Sequence, residues 1–386
     1  MKIAFVYDAV YPWEKGGAQK RVWELARRLA DSHDVHLYGM QYWDGPETIE
    51  REGVTFHGVC EPYDLYTDGR RSIRQALLFA GNLLSPLVHE EFDVIDCQQF
   101  PYFPVFATKF NELTSQSELL VTWYELWDDY WYDYLGYKGA FGWLTEQAVL
   151  KLPQTVIPIS AAIEQDLVEA GCKAGMKTVP NGVDFYQLQE IDPAQKEWDL
   201  IYVGRLSEHK NVGLLLDTVQ RLASSNVSVR TAIIGDGPER ERLERQASEY
   251  GIADSVDFLG FLESSEDVFS HLKAADLFVL PSEREGFPNT ILEANACGTP
   301  CIVADFENNG ATAIVEEGQT GYVVPPTPAE IAKRVIAVQS DADLRRRLGN
   351  GAQEFGREHD WQSITRQIEN VYQQAIGATV PTPGGA

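Results

Sequence analysis

Residues 198–211 read WDLIYVGRLSEHKN, an apolar run that ends at a glycine and then turns polar. A helical pattern follows from about residue 210 to 224, and SVRTAIIG (228–235) repeats this order before a predicted helix over 238–249. Short apolar runs with such boundaries are typical of buried strands. Strands that alternate with helices predict a parallel sheet covered on both faces. The later apolar runs that continue the pattern lie at 256–260, 276–281 and 300–305.

The first half of the chain shows the same alternation. Its predicted strands are 2–7, 34–40, 54–59, 92–97, 118–123 and 155–160, with a helix over 17–31 after the first of them. A segment rich in Gly, Pro and Asn, residues 180–193, separates the two halves. We therefore predict an α/β protein with two Rossmann-like, doubly wound domains, at residues 1–175 and 195–355.

The end of the chain departs from this alternation. A helix predicted over 360–376 has no strand after it, so we expect it to pack back on the first domain. The Pro- and Gly-rich residues 378–386 are expected to be a disordered tail. Ligands bind at the carboxyl ends of the strands in doubly wound sheets. Two facing domains of this kind predict a cleft in which two substrates meet.

The charge of the chain is strongly acidic. Asp and Glu number 58 against 32 Lys and Arg, which gives a formal net charge of −26 over 386 residues. A surface this acidic repels phosphate polyanions, so nucleic-acid binding is excluded as a general activity. Such a surface is also typical of proteins that stay soluble in a salty, halophile-like cytoplasm.

The cysteines and the N-terminus indicate a cytoplasmic protein. The five cysteines form no C-x-x-C pair and no Cys/His cluster, which predicts reduced thiols and no structural zinc. Residues 1–12 turn polar too soon for a signal peptide, and no uncharged apolar run reaches 18 residues. Arg70, Arg71 and Arg74 begin an apolar helical stretch (72–88). This start is compatible with peripheral contact with the inner face of a membrane, and equally with an ordinary amphipathic helix.

Three short segments carry candidate chemistry. Gly16-Gly17 lies between a strand and a helix start, where backbone amides can approach an anion, although the G-x-G-x-x-G dinucleotide pattern is absent. Arg205 and Lys210 follow the strand at 198–204, where two cations can clamp a diphosphate. Residues 285–293 (EGFPNTILE) place two carboxylates around a proline-led helix start, which suits sugar and ribose hydroxyls. A plain turn, solvated charges and a capped helix are the respective alternatives.

A series of motifs in the second half resembles glycosyltransferase family 4, the retaining enzymes with two facing Rossmann-like domains of the GT-B architecture. The motifs that resemble this family in order and spacing are PNGVD (180–184), GRLSEHKN (204–211), GDGPE (235–239), FLGF (258–261), ADLFVLPSEREGFPNTILEANACGTPCIV (275–303) and EEGQTGYVVPP (316–326). Each is weak alone, and six in series are highly specific.

The resemblance implies a role for each site residue. Arg205 and Lys210 would bind the diphosphate of a nucleotide-sugar donor and offset charge on the departing nucleotide. Glu293 would hold the ribose, and Glu285 would contact the donor sugar and join the cations as a catalytic residue. The further substrate-binding residues that the resemblance implies are Gly16, Gly17, Asn181, Gly286, Phe287, Asn289 and Thr290. No metal and no cofactor are implied, because the cations take the place of a metal.

One position departs from the family. Its members place a histidine after the strand that matches residues 119–123, and this chain has Tyr124, which we count among the substrate-binding residues. A tyrosine can donate a hydrogen bond but is not protonated near neutral pH. The loss of one preorganised electrostatic contact typically costs about 10²–10³ in rate.

The acceptor side is expected in the first domain. Ten aromatic residues lie between positions 123 and 143, and aromatic faces with polar edges suit sugar rings. A core-packing helix is the alternative. We therefore expect a glycan, glycolipid or lipid-linked acceptor.

The resulting hypothesis is a retaining hexosyltransferase. It would move a hexose from a nucleotide-diphosphate sugar to such an acceptor in cell-surface polysaccharide or glycoprotein glycan biosynthesis. Two alternatives stay open: a non-catalytic nucleotide-sugar-binding partner subunit, in which Tyr124 marks lost catalysis, and a nucleotide-sugar epimerase of the same fold.

Overall fold

The chain forms two units in a computed structural model, which describes residues 1–67, 70–152 and 154–379. Of the described residues, the N-terminal unit contains those within 1–181 and 361–379, and the C-terminal unit contains Gly182–Asp360. Each unit is built around its own mainly parallel sheet with helices between the strands. The predicted α/β, Rossmann-like fold class is confirmed in both.

The N-terminal unit has an eight-stranded sheet in the order β10-β9-β8-β7-β1-β2-β4-β3. In chain order its strands are β1 (Lys2–Val6), β2 (Asp34–Gly39), β3 (Thr48–Arg51), β4 (Val54–Gly58), β5 (Tyr66–Thr67), β6 (Arg70–Arg71), β7 (Val94–Gln98), β8 (Glu118–Trp123), β9 (Thr155–Pro158) and β10 (Gly175–Met176). Its helices before residue 181 are α1 (Gly17–Leu29), α2 (Ile73–Val88), α3 (Phe103–Thr114), α4 (Tyr130–Leu135), α5 (Gly139–Leu150) and α6 (Ala161–Glu169).

The order in which successive strands are added to this sheet reverses at β1. The pairs are parallel except β3 with β4, and β5 and β6 form a separate antiparallel pair. The sheet grows from β1 to β2 on one side and resumes with β7 on the other. The carboxyl ends of β1 and β7 therefore form the switch point, where doubly wound sheets bind ligands.

The C-terminal unit has a six-stranded, parallel sheet in the order β13-β12-β11-β14-β16-β18. Its strands are β11 (Trp198–Val203), β12 (Thr231–Ile234), β13 (Val256–Gly260), β14 (Ala275–Leu280), β15 (Arg284–Glu285), β16 (Cys301–Ala304), β17 (Asn308–Asn309) and β18 (Gly321–Val324). Its helices are α7 (Phe185–Gln189), α8 (Val212–Ser224), α9 (Arg240–Glu249), α10 (Ser265–Lys273), α11 (Asn289–Ala296), α12 (Pro328–Ser340) and α13 (Ala342–Glu358). The switch point lies between β11 and β14, and β15 pairs separately with β17.

The last helix, α14 (Trp361–Thr379), belongs to the N-terminal unit and contacts α1. Trp361, Ile364, Ile368 and Tyr372 are buried in the core that surrounds β1. The apolar face of α14 thus replaces water over α1, which stabilises the unit through burial of apolar area. Residues 378 and 379 of the predicted tail are helical in α14, and residues 380–386 lie outside the described residues.

No helix in the described ranges combines the length and apolarity that crossing a bilayer requires. The longest helix among them, α14, carries glutamine, glutamate and arginine between the residues of its apolar face.

Candidate functional site

The switch point of the C-terminal unit gathers the predicted catalytic residues at one sheet edge. β11 and β14 are parallel neighbours, with Leu200 beside Leu277, so their carboxyl ends are adjacent. The loop after β11 carries Arg205 and Lys210, and the loop after β14 carries Glu285. The Glu283 amide donates to the carbonyl oxygen of His209 at 2.8 Å, which ties the two loops together.

Lys210 and Glu285 form an ion pair although 75 positions separate them in sequence. The Lys210 Nζ lies 2.6 Å from Oε1 and 2.8 Å from Oε2 of Glu285. The two side chains are 22% and 8% exposed, so the pair is largely withdrawn from water. Charge-assisted hydrogen bonds are stronger in such surroundings than in water. This contact holds a cation and a carboxylate together at the sheet edge.

Arg205 is exposed, and its carbonyl oxygen accepts a hydrogen bond from the buried Tyr202 hydroxyl at 3.2 Å. The cations of this loop region also act on the imidazole of His209. Burial lowers the pKa of His209, and the charges of Lys210, Arg284 and Arg205 lower the pKa further against the opposing charge of a neighbouring carboxylate. Lys210, Arg284 and Arg205 therefore all lie close enough to His209 for their charges to act on it.

The GDGPE motif positions the Arg205 loop through its backbone. Gly237 has φ +159°, and a Cβ there would lie 2.2 Å from the carbonyl oxygen of Leu206. The Leu206 amide donates to the Asp236 carbonyl at 2.9 Å, and the Glu239 amide donates to the Leu206 carbonyl at 3.0 Å. Only glycine allows the two loops to approach this closely, so the motif has a structural role here.

The segment after Glu285 forms a loop and then the first turns of α11. Pro288 is the N-cap of α11, and Phe287 packs against the hydrophobic core. The predicted residues that are half-buried at this helix start are Gly286, Asn289, Thr290 and Glu293. The helix N-terminus thus lies beside the Lys210–Glu285 pair, with its amides and dipole favouring negative charge.

Asn309 is a positioning residue that the sequence analysis missed. Its buried Nδ2 donates to the carbonyl oxygens of Ser282 at 3.0 Å and Ala304 at 2.9 Å. Its Oδ1 accepts from the Ala311 amide at 3.1 Å. Asn309 therefore fixes the loop after β14, which carries Glu285. The available signal was the NNG sequence after a strand, which is typical of a turn held by an amide side chain.

The two predicted glycines of the N-terminal unit lie at the start of α1 and are exposed. Gly16 is the N-cap with φ −177°, an extended backbone that other residues also adopt. A Cβ on Gly16 would meet only the flexible end of Gln19, at 2.4 Å. The first turn of α1 has no acidic residue and no side-chain cap, so its amides are not neutralised by this helix.

Tyr124 follows β8 and is held by a buried hydrogen-bond network. Its hydroxyl donates to Gln98 Oε1 at 2.5 Å, and its amide donates to Gln99 Oε1 at 3.1 Å. Gln98 donates to Asp96 at 3.1 Å, and Asp96 also accepts from the Tyr372 hydroxyl at 2.6 Å. Burial raises the pKa of Tyr124 well above its usual range, so the phenol is neutral. An aspartate within an apolar strand was the sequence signal for this network.

Asn181 is buried in a contact within the N-terminal unit. Its Oδ1 accepts from the Arg21 guanidinium at 3.0 Å, and Arg21 also donates to the carbonyl oxygens of Val179 at 3.0 Å and Pro180 at 2.5 Å. The observed role of Asn181 is therefore to anchor this segment to α1.

Arg71 does not form part of a basic surface. Its guanidinium lies 2.7 and 2.9 Å from the two carboxylate oxygens of Asp8, which is buried after β1. Gln75 donates to the same carboxylate at 2.8 Å. Arg71 is therefore the charge partner of a buried carboxylate, and peripheral contact with a membrane stays a prediction.

The aromatic segment is divided between core and surface. Trp123 and Trp131 are buried, whereas Tyr137 is 85% exposed and Phe141 is 53% exposed. The buried carboxylate of Glu146 accepts hydrogen bonds from the amides of Trp127 at 3.0 Å and Asp128 at 2.9 Å. This contact fixes the loop that carries Trp127.

Within the described ranges, no group of three or more His, Cys, Asp or Glu side chains is placed to hold a metal ion.

Comparisons with known proteins agree with this architecture. Residues 15–186 match the model described as Glycosyltransferase Family 4, and residues 187–355 match the model described as Glycosyl transferases group 1. A putative colanic acid biosynthesis glycosyltransferase of Salmonella typhimurium, WcaL, is 27% identical over 239 residues, which are 59% of this chain and 58% of that protein. The chain spans about two to three fifths of the length of the curated relatives that it matches.

Solved structures share the fold over nearly the full length. Sucrose-phosphate synthase from Thermosynechococcus elongatus has a TM-score of 0.77 at 20% identity, covering 98% of this chain and 100% of that one. HepE from Anabaena in complex with UDP-glucose has a TM-score of 0.71 at 19% identity, covering 97% and 100%. With the two family matches, the chain belongs to glycosyltransferase family 4 and has the GT-B fold.

Proposed function

We propose that this chain is a retaining hexosyltransferase that uses a nucleotide-diphosphate sugar as donor. The acceptor would be a glycan, glycolipid or lipid-linked molecule of cell-surface polysaccharide or glycoprotein glycan biosynthesis. The observation that carries the proposal is the Lys210–Glu285 ion pair beside Arg205 at the β11/β14 switch point. The relatives support the donor class, since one solved neighbour binds UDP-glucose.

The leaving group explains why cations are needed at this edge. As the bond from the anomeric carbon to the diphosphate oxygen breaks, negative charge develops on the nucleotide. Lys210 and Arg205 would stabilise that charge more strongly in the transition state than in the bound donor. Glu285 would orient Lys210 and accept hydrogen bonds from the hydroxyls of the transferred sugar. Because two cations serve the leaving group, we propose that transfer is metal-independent.

The proton of the acceptor needs a destination. A new bond forms between the acceptor oxygen and the anomeric carbon, and the acceptor hydroxyl loses its proton. Tyr124 is a neutral phenol whose hydrogen is donated to Gln98, so it is not suited to take this proton. We assign the proton to the departing diphosphate, on the face of the sugar where the acceptor enters. This route gives retention of the anomeric configuration.

A donor panel tests the proposal. UDP-, GDP- and ADP-sugars would be titrated into the full chain by calorimetry, at low and high salt, and products would be separated by chromatography. We expect one donor to bind and to be hydrolysed slowly without an acceptor, with the sugar released as the retained anomer at early times. Absence of binding by every donor in both salt conditions would contradict the proposal. Binding without any turnover would favour the non-catalytic partner subunit.

A further inference from the structure

Three helices of the N-terminal unit carry apolar side chains on their outer sides. These side chains recur at spacings of three, four or seven residues, which places them along one side of each helix. They are Ile73, Leu77, Leu84 and Val88 on α2, Phe103, Phe106, Phe110 and Leu113 on α3, and Phe141 and Leu144 on α5, and each is exposed or half-buried. A helix at a protein surface normally turns polar residues outward. The three helices therefore depart from the pattern of a solvated layer.

The rows of apolar side chains on the three helices meet. At one end, Ile73, Phe103 and Phe141 border the same small cavity, and the ring centroids of Phe103 and Phe141 lie 6.2 Å apart. At the other end of α2, the side-chain amide of Asn111 donates to the carbonyl oxygen of Leu87 at 2.8 Å, which ties α3 to α2. The rows therefore form a single surface, which we call the outer helix face.

The outer helix face is larger than the apolar patches of ordinary monomers. Its members that are between 38% and 75% exposed, among the described residues, are Ile73, Leu77, Leu84, Val88, Phe110, Leu113, Phe141 and Leu144. A large apolar side chain that is half exposed offers on the order of 100 Å², so these residues together offer on the order of 800 Å². The largest patch of a typical monomer measures about 300–600 Å². Each partner in a protein interface of standard size buries about 800 Å².

The three helices lack the negative charge that the rest of the chain carries. Their charged residues are Arg74, Lys109, Glu112 and Glu146, so their charges cancel in a chain of net charge −26. Lys109 pairs with Glu112, and Glu146 is buried. Two copies of so acidic a chain repel each other over most of their surfaces. They can approach most closely at a surface where this charge is missing.

The charges around the outer helix face have both signs. Lys138 and Lys151 flank α5 and are exposed, and Glu91, which follows α2, is also exposed. In a symmetric pair the same surface meets itself, so a rim with both signs can place cations opposite carboxylates. An anionic leaflet would instead attract a cluster of cations. The charges therefore favour a second copy of the chain over a membrane as the occupant of this face.

We propose that the outer helix face is the contact surface of a homodimer, in which two copies of this chain meet about a twofold axis. Association would remove the exposed apolar side chains of both copies from water, which is favourable roughly in proportion to the apolar area buried. The proposal goes beyond the transferase function and does not depend on it, because burial of this face drives association whether or not the chain transfers a sugar.

Analytical ultracentrifugation of the full chain at micromolar concentrations measures the dissociation constant of the dimer, in about 0.1 M and about 1 M NaCl. We expect a reversible equilibrium between monomer and dimer that shifts toward the dimer in high salt. Salt screens the repulsion between two acidic copies, whereas apolar contact needs no charge. A monomer in both salt conditions would overturn the proposal. A dimer that dissociates in high salt would also overturn it, because such a dimer is held by ion pairs.

Two variants and a matched control locate the contact. Leu77→Glu on α2 and Leu144→Glu on α5 each place a carboxylate within the face of both copies, where burial of a charge is costly. Each is expected to weaken the dimer at least tenfold. The circular dichroism spectrum should stay that of wild type, since the two leucines are 50% and 60% exposed. Ile336→Glu makes the same change at a 40% exposed residue of α12, in the C-terminal unit, and it should dimerise as wild type.

Unchanged dissociation constants in Leu77→Glu and Leu144→Glu, or equal weakening in Ile336→Glu, would contradict this assignment of the face. Flotation with vesicles of phosphatidylcholine and phosphatidylglycerol tests the other occupant. A monomer that binds these vesicles, and loses that binding in Leu77→Glu, would overturn the dimer and assign the face to a membrane. Nucleotide-sugar titrations on the same samples separate the two proposals. A monomer that binds the donor refutes the dimer alone, whereas a dimer that binds no donor refutes the proposed function alone.

Discussion

Tyr124 shows how a residue at a ligand-binding edge can serve the structure around it. Its hydroxyl and amide bind two consecutive glutamines at the end of β7, and one of these, Gln98, binds Asp96. Tyr372 of α14 reaches the same aspartate. The phenol therefore links the edge of the sheet to the last helix through hydrogen bonds in a region of low dielectric, where each bond is costly to break.

Replacing Tyr124 by Phe tests this role. The side-chain oxygen of the buried Gln98 would lose its donor, so we expect the free energy of unfolding to fall by about 1–3 kcal/mol. Donor binding by the C-terminal unit should be unchanged. Urea denaturation and calorimetry measure the two quantities. Tyr132→Phe, at a 44% exposed tyrosine of α4, is the control and should leave the urea midpoint at its wild-type value. An unaltered midpoint in both variants would show that the network does not stabilise the fold.

At the scale of elements, backbone contact between loops determines where the cations lie. The loop after β12 touches the loop after β11 through glycines, and Asn309 holds the loop after β14 in place.

These contacts explain which features the sequence predicted and which it did not. The buried strands were predictable because both faces are apolar, whereas β3 (TIER) is an exposed edge strand without that pattern. Lys210 and Glu285 were predicted individually, from their places after a strand and before a helix and from the family resemblance. Their contact, and the role of Asn309, depend on strand order, which local patterns do not encode.

Gly237→Ala should disrupt the Arg205 loop without touching any predicted binding residue. The new methyl group would lie 2.2 Å from the Leu206 carbonyl oxygen, at a φ that alanine avoids, so the loop must move. We expect donor affinity to fall at least tenfold and the free energy of unfolding to fall by about 1–3 kcal/mol. Gly81→Ala is the control, because no atom lies within 4 Å of its Cβ in α2. It should stabilise by about 0.5–1 kcal/mol. Wild-type donor affinity in Gly237→Ala would refute the positioning role.

Two neighbouring strands of the N-terminal sheet bring a histidine pair together. His36 of β2 and His57 of β4 lie 2.8 Å apart between Nδ1 and Nε2, and Tyr38 stacks on the His57 ring at 4.4 Å. Burial and the charge of His36 lower the pKa of His57 to about 4, with Lys2 acting in the same direction and Glu90 opposing. The folded state therefore resists protonation here.

This pair predicts acid sensitivity. Between pH 6.5 and about 4 the unfolded chain binds a proton at His57 that the folded chain does not, so this contribution to stability falls as pH falls. Buried carboxylates also make the stability depend on pH, so the test compares variants with wild type. In His57→Gln the decrease in Tm from pH 7.5 to 4.5 should be smaller than in wild type, and the exposed His89→Gln should behave as wild type. Parallel curves for wild type and His57→Gln would refute the assignment.

For the whole molecule, the excess of 26 negative charges destabilises the folded state through mutual repulsion. Salt shortens the range of that repulsion from about 10 Å at 0.1 M to about 3 Å at 1 M. We expect Tm to rise by several degrees over this range of NaCl, in differential scanning calorimetry. Chloride is preferred to sulfate, because sulfate also strengthens apolar burial. A flat or falling Tm would show that the acidic surface does not limit stability.

The central claim is that the donor diphosphate binds at the Lys210–Glu285 pair. The most direct measurement is calorimetric titration of the preferred nucleotide sugar into wild type, Lys210→Ala and Lys196→Ala. Lys196 is a matched control, since it lies in the same unit, pairs with Asp257 at 2.8 Å and is 51% exposed. The account predicts at least a tenfold loss of affinity in Lys210→Ala, with a transfer rate about 10²–10³ lower, and wild-type values in Lys196→Ala. Equal donor affinity in all three proteins would contradict it.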